Sequence, residues 1–304
     1  MAALATAPTT STRSAPTPAL DPVEAAVEAE VVDTPSRKLG LLKRVAKTVG
    51  QAVLSMGVAL VVWQGFITIA GLDGFIAKGP ADVWTYLTSG ADAAANRQVL
   101  IDASMTTLRD AAIGFFAGTI GAVVVAVVFT LRRGVEATFL PLALAFRAVP
   151  LVAMTPLIAL VFGRGLLAVT IIAGIVTFFP TLVNVSLALR SMPKESVDLF
   201  RAYGSSDGLM LRKLQLPTAM PALFASARIA APLALIGALL AEWLATGQGL
   251  GYLMLRGLAT FQINQVWASV AIVTFASVIL YGIISNIEQA VLAKYAPDRE
   301  GSTL

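Results

Sequence analysis

Residues Asp198 to Pro221 read DLFRAYGSSDGLMLRKLQLPTAMP, a polar, basic stretch set between two long apolar segments. A lipid-embedded chain gains nothing from so long a polar connection unless the connection is used. Gly204, followed by Ser205, Ser206 and Asp207, supplies a turn and several N-cap candidates. Leu199–Tyr203 and Leu209–Gln215 therefore read as two short helices meeting at a corner. In the second of these Met210, Leu214 and Pro217 fall on one face at helical spacing, with Arg212 on the other, so the hairpin is amphipathic. Pro217 suits the first turn of the helix that follows, where a missing N–H costs nothing.

The remainder of the chain fits a bilayer. Of 304 residues 57% are hydrophobic and only 13% charged, with a mean hydropathy of +0.80, too apolar for a soluble domain of this size. About 20 apolar residues span a bilayer, and six segments qualify: Val49–Gly71, Thr106–Leu131, Glu136–Phe162, Leu166–Leu189, Pro217–Leu244 and Val266–Ala290. A short surface helix, Pro80–Leu87, is expected between the first two. Ahead of them residues 1–36 read as a disordered tail with no apolar leader core, and residues 37–48 as a basic juxtamembrane run. The membrane domain takes residues 49–294, with its polar loop at 194–216, and a tail occupies 295–304.

Lys and Arg counts give an orientation. With the N-terminus inside, Arg37, Lys38, Lys43, Arg44, Lys47, Arg132, Arg133, Arg190, Lys194, Arg201, Arg212, Lys213, Lys294 and Arg299 are cytoplasmic, whereas Lys78, Arg97, Arg109, Arg164 and Arg256 are external. That asymmetry places both termini and the polar hairpin in the cytoplasm. The net charge of +4 reflects this topology and not nucleic-acid affinity.

Several chemistries are closed off. The chain has no Cys and no His, which removes thiolate and imidazole nucleophiles, bases and metal ligands. No G-x-x-x-x-G-K-[S/T] phosphate loop exists, and no strand precedes Gly247, Gly249 and Gly251. The chain reads as neither an enzyme nor a cofactor or metal protein. A secondary transporter or a channel of six spans, working without an ATPase, is the competing class. The first needs an acid at mid-membrane and the second a ring of charges.

Pro141, Pro150, Pro156, Pro180, Pro221 and Pro232 fall inside apolar segments and predict bent helices. Gly114 and Gly118 form a small-xxx-small face. Arg147 and Arg228 each lie eleven residues into a span, about 16 Å deep. No acid is expected at that depth, with Glu242 towards the outer end of the fifth span and Glu288 at the inner end of the sixth. Arg147, Arg228 and Glu242 are accordingly candidate lining residues of a translocation pathway.

The spacing from Gly204 through nine residues to Leu214, then one residue to Leu216-Pro217, resembles the EAA loop of the membrane subunits of ATP-binding-cassette (ABC) importers, with Pro221 matching a second Pro often found there. The letters that name that motif fall on Asp198, Leu199 and Phe200, so the acid is kept in kind and the alanines are not. The segment Ser226–Met254 is similar to the nitrate, sulfonate and taurine branch of these permeases in Arg228-Ile229-Ala230, Ala241-Glu242 and Gly249-Leu250-Gly251. RAVPLVAMTPLIALVFGRG, Arg147 to Gly165, resembles the branch's Pro-Leu run. The resemblance covers roughly residues 106–290. It implies an all-α, six-span type I importer permease with a cytoplasmic coupling helix. Asp198, Ala202, Gly204, Ser205, Leu214, Leu216 and Pro217 would then meet an ATPase subunit. It further implies two ATPase copies using ATP and Mg, a second permease copy making a homodimer, an extracytoplasmic binding protein, and a bacterial inner membrane location. The cargo would be a small sulfonate-, nitrate- or taurine-like anion or a thiamine-precursor-like compound.

Overall fold

The computed structural model describes residues 34–295, with side chains described from Gly50 onward apart from Gln51, Ala52 and the last residues of the final helix. The expected tails at 1–36 and 295–304 lie almost wholly outside the described residues, as do the side chains of the basic run at 37–48. The chain divides into two units, Met1–Thr48 and Val49–Leu304, and the second holds the polar hairpin and the long apolar helices.

The described residues are helical throughout: α1 (Thr34–Ile69), α2 (Pro80–Thr88), α3 (Ala93–Leu131), α4 (Arg133–Phe146), α5 (Leu151–Phe162), α6 (Leu166–Arg190), α7 (Lys194–Ala202), α8 (Asp207–Thr246), α9 (Gly249–Ala259) and α10 (Ile263–Tyr295). Four of them, α3, α6, α8 and α10, are each long and apolar enough to cross a membrane. The apolar stretch Val53–Ile69 of α1 is shorter than these four.

The third expected span, Glu136–Phe162, is not one helix. It is broken into α4 and α5, which meet at 104°. Pro150 is the cause: it carries no N–H and disfavours helical torsions at Val149, so the chain leaves α4 after Phe146 and restarts with Pro150 as the N-cap of α5. Pro141, Pro156, Pro180, Pro221 and Pro232 stay within continuous helices.

Small residues set the core. A Cβ added to Gly114 or Gly118 of α3 would overlap Ala173, Gly174 or Thr177 of α6, and one on Gly237 of α8 would lie 2.6 Å from the Ala173 Cα. Three helices therefore approach closely where α3 and α8 contribute glycines against Ala173, Gly174, Val176 and Thr177 of α6, which is how membrane helices gain close backbone packing without a hydrophobic drive. The Thr177 hydroxyl, fully buried, satisfies itself on the Gly174 carbonyl at 2.9 Å. Away from this waist the bundle fills with larger side chains. Phe129, Leu182, Leu189 and Leu211 pack at the end that carries the polar hairpin, and Leu100, Leu250 and Leu253 at the opposite end.

Candidate coupling hairpin and intramembrane charges

The hairpin is built from α7 and the first turns of α8. Gly204 has φ +67°, the left-handed conformation that lets the chain turn after α7. Ser206 caps the start of α8 by accepting the Leu209 N–H at 3.4 Å. The expected second short helix does not stand alone. It runs directly into the span through a π-helical turn, Leu211–Gln215, so the second arm of the hairpin and the span are one continuous helix. Pro217 follows that turn directly inside a continuous helix and not at a helix start, so its missing N–H withholds one helical bond from the carbonyls of the turn.

Orientation of side chains about this corner is two-sided. Met210 and Leu211 are buried, the latter against Phe129, Leu182 and Leu189, and Leu214, Leu216 and Pro217 are half-buried. Asp198, Ala202 and Gly204 are exposed and Ser205 is partly so. No residue of α7 is buried, and Leu199 at 56%, Tyr203 at 83% and Leu209 at 45% exposure present apolar surface to the outside. The corner thus offers knobs that its own chain does not cover. At its root Arg190, the last residue of α6, is paired with the buried Glu136 of α4.

The two arginines differ in surroundings. Arg147 lies at the corner between α4 and α5, exposed, its backbone N–H bonded to the Ala143 carbonyl at 3.2 Å. It does not sit midway along a continuous span. Arg228 of α8 contradicts the expectation that no acid shares its depth: it reaches Glu288 of α10 at 3.0 Å, and its guanidinium lies 5.7 Å from the centre of the Tyr281 ring. The contact with Glu288 is ionic and not an aligned hydrogen bond. Arg228 is about 18 Å along the helix from Leu216 and Glu288 only about 10 Å from Tyr295, which is why counting along the chain separates them. Side chains lean towards the N-terminus of their own helix. Because α8 and α10 are antiparallel, Arg228 leans towards the hairpin end, Glu288 leans away from it, and the gap closes. Sequence reasoning missed this partner, although the antiparallel order carried the signal.

Glu242 is fully buried. It opens a second π-helical turn, Glu242–Thr246, and its Oε2 accepts the Gly251 N–H at 2.7 Å. The neighbouring Leu250 N–H donates to the Thr107 hydroxyl of α3 at 2.9 Å. A carboxylate and a hydroxyl therefore hold the unsatisfied amides at the N-terminus of α9. Gly249, at φ +85°, and Gly251 are required here, because a Cβ on the first would overlap the Glu242 carboxylate and one on the second would lie 2.8 Å from the Leu239 carbonyl.

From residue 113 to 294 the chain matches the profile of the "Binding-protein-dependent transport system inner membrane component" family. The chain belongs to this family. Relatives of this permease include a probable ABC transporter permease protein of Haemophilus influenzae, 30% identical over 75% of this chain and 91% of that protein. Another is the riboflavin transport system permease protein RibX of Chloroflexus aurantiacus, 33% identical over 75% of this chain and 85% of its own. In fold the permease is similar to a chain of the MetNI methionine ABC transporter, with a TM-score of 0.55 and 19% identity over 64% of this chain and 97% of that one. It is an ABC importer permease component and a multi-pass membrane protein, as the EAA-like spacing implies.

Proposed function

We propose that this permease lines half of a solute pathway and is driven through the α7–α8 hairpin by a separate ATPase, which supplies the ATP and Mg chemistry. The observation that carries the reading is the pairing of exposed Leu199 and Tyr203 with buried Met210 and Leu211. A partner can grip the first pair, and the second pair joins the grip to the bundle. Asp198, Ala202, Gly204 and Ser205 form the contact surface, with Leu214, Leu216 and Pro217 carrying motion into α8. The hairpin end faces the cytoplasm together with both termini. Two permease copies, two ATPases and an extracytoplasmic binding protein complete the transporter. Arg147 and Arg228 border the pathway, and Glu242 serves it from behind by fixing α9. Gly204→Val tests the coupling: ATP hydrolysis continues while uptake falls at least tenfold. Unchanged uptake in a normally inserted variant removes the role.

For cargo, we infer a small heteroaromatic solute of low charge in preference to an inorganic or sulfonate anion. The Arg228 charge is already matched by Glu288, and relatives include RibX and the formylaminopyrimidine transport permease ThiX of Halalkalibacterium halodurans, 28% identical over 61% of this chain. The anionic reading keeps the support of the aliphatic sulfonates permease SsuC of Bacillus subtilis, 24% identical over 63% of this chain. Ligand screening of the cognate binding protein separates them: saturable binding of a pyrimidine supports the first reading, and binding of a sulfonate or nitrate only overturns it.

A further inference from the structure

A cleft of about 560 Å³ opens at the root of the hairpin, between α4, the end of α6 and α7. That size falls within the range of roughly 300–1,000 Å³ typical of small-ligand sites. Its rim carries Arg133, Arg190 and Arg201, and the acid among its lining residues, Glu136, is already paired with Arg190. Arg133 and Arg201 are both exposed and stay as surplus positive charge. Its walls are apolar, with Leu140, Met192 and Val197 among them. The spans α3 and α6 end at Leu131 and Arg190, so the cleft lies where the apolar part of the bundle stops, at the level of lipid headgroups. Further along the cleft's own face of α4, at helical spacing from Glu136 and Leu140, Pro141 and Leu144 are exposed apolar residues.

Two cations without acids to spare, an apolar wall and a position at the membrane surface define one ligand chemistry. We propose that the cleft seats the headgroup of an anionic phospholipid, its phosphate drawn by Arg133 and Arg201 and its acyl chains running down the exposed side of α4. Basic pockets between transmembrane helices hold such headgroups because attraction to an anionic leaflet adds to the burial of the chains. A lipid in this position props α4 against α7, and the hairpin root is then stiff only in an anionic leaflet. The proposal rests on the cytoplasmic orientation of the hairpin only for the choice of leaflet. Lipid retention reads the cleft itself, whether or not an ATPase grips the hairpin.

The test uses the intact transporter, permease with its ATPase, purified from membranes and examined by native mass spectrometry for retained phosphatidylglycerol. Each arginine removed, in Arg133→Gln and then Arg133→Gln with Arg201→Gln, lowers retention about fivefold, while Arg164→Gln at the far end leaves it unchanged. Arg133→Lys, which keeps the charge, retains most of the lipid. Retention by the unaltered protein also falls as NaCl rises, a measurement that needs no variant to assemble. Equal retention in all variants overturns the proposal, as does equal retention of phosphatidylcholine. If inorganic phosphate protects the delipidated transporter from heat as well as phosphatidylglycerol does, the site takes a soluble anion and the lipid occupant is wrong.

Discussion

Removing one partner of the Arg228–Glu288 pair should hurt unequally. Glu288 keeps 9% of its side-chain surface exposed and Arg228 keeps 34%. Arg228→Met leaves a carboxylate buried without a counter-charge. Breaking a buried pair in this way costs about 3–5 kcal/mol, and the partial exposure of the arginine discounts that to about 2 kcal/mol. Glu288→Leu leaves an arginine that already reaches the Tyr281 face and can extend to water, at a cost of about 1 kcal/mol or less. The double variant Arg228→Met with Glu288→Leu has no charge to strand, and replacing a buried pair by apolar groups is often neutral. Thermal unfolding of the purified permease is the assay. At about 2–4 °C per kcal/mol for a chain of this size, Arg228→Met should lower Tm by about 4–8 °C, Glu288→Leu by about half that or less, and the double variant by less than Arg228→Met alone. If the double variant loses as much as the two singles together, the two side chains are not coupled and the pairing has no energetic content.

Other variants test the crossing, the π-turns and the break. Gly118→Leu forces α3 away from Thr177 and Gly174; overpacking of about 1–3 kcal/mol or more should cut the yield of folded permease, read by detergent size-exclusion profile, whereas Gly121→Leu, with only the Phe178 ring beyond 3.6 Å, should be tolerated. Glu242→Ala frees the Gly251 amide and should increase hydrogen exchange across Gly249–Ala259 while leaving exchange in α6 unchanged. Glu242→Gln, which still accepts, should restore most of the protection. Pro150→Ala should let α4 and α5 straighten, and a spin-label pair at Phe139 and Val161 should then move apart; an unchanged distance means that the corner is fixed by packing and not by the proline.

The sequence was legible where a single local rule decides. Gly204, with positive φ, and Ser206, as the N-cap, turned the chain where turn and cap preferences put them, and Met210 and Arg212 took the buried and exposed sides that the 3.6 period assigned. The small-xxx-small reading of Gly114 and Gly118 likewise became a real crossing. Features that depend on two elements were not legible. Hydropathy runs unbroken through Ala148, Val149 and Pro150, so a segment that is continuous in composition is broken in space. Distance along a helix separated Arg228 from Glu288, and only the opposite lean of side chains on antiparallel helices joins them. Glu242 reads in the sequence as an acid towards the outer end of a span, and position along the span does not show that the Gly249-Leu250-Gly251 run folds back over it. Its glycines leave room for a carboxylate against backbone, a tertiary demand that no periodicity displays.

How a pull on the hairpin reaches the bundle follows from where tight packing lies. Met210 and Leu211, in the first turns of α8, are buried at the hairpin, the latter against Phe129 and Leu189, and the helix continues from them through the π-turn without a break. Further along α8, Gly237 meets Ala173 where α6 also meets Gly114 and Gly118. Close-packed crossings of this kind have little room to deform, so α3, α6 and α8 transmit displacement as one body. The corner between α4 and α5 has no such clamp: Arg147, Ala148 and Val149 are exposed, and both helices present large apolar side chains outward. Work applied at Tyr203 should therefore appear as rotation of the α3–α6–α8 body past a pliant α4–α5 elbow. A disulfide engineered between α4 and α6, for example through Ala143→Cys and Phe178→Cys, should stop uptake when oxidised and release it on reduction. One engineered within the clamped body, between α6 and α8, should leave uptake intact in both states. Equal inhibition by the two crosslinks would mean that the body flexes internally and that the glycine crossing is not its rigid centre.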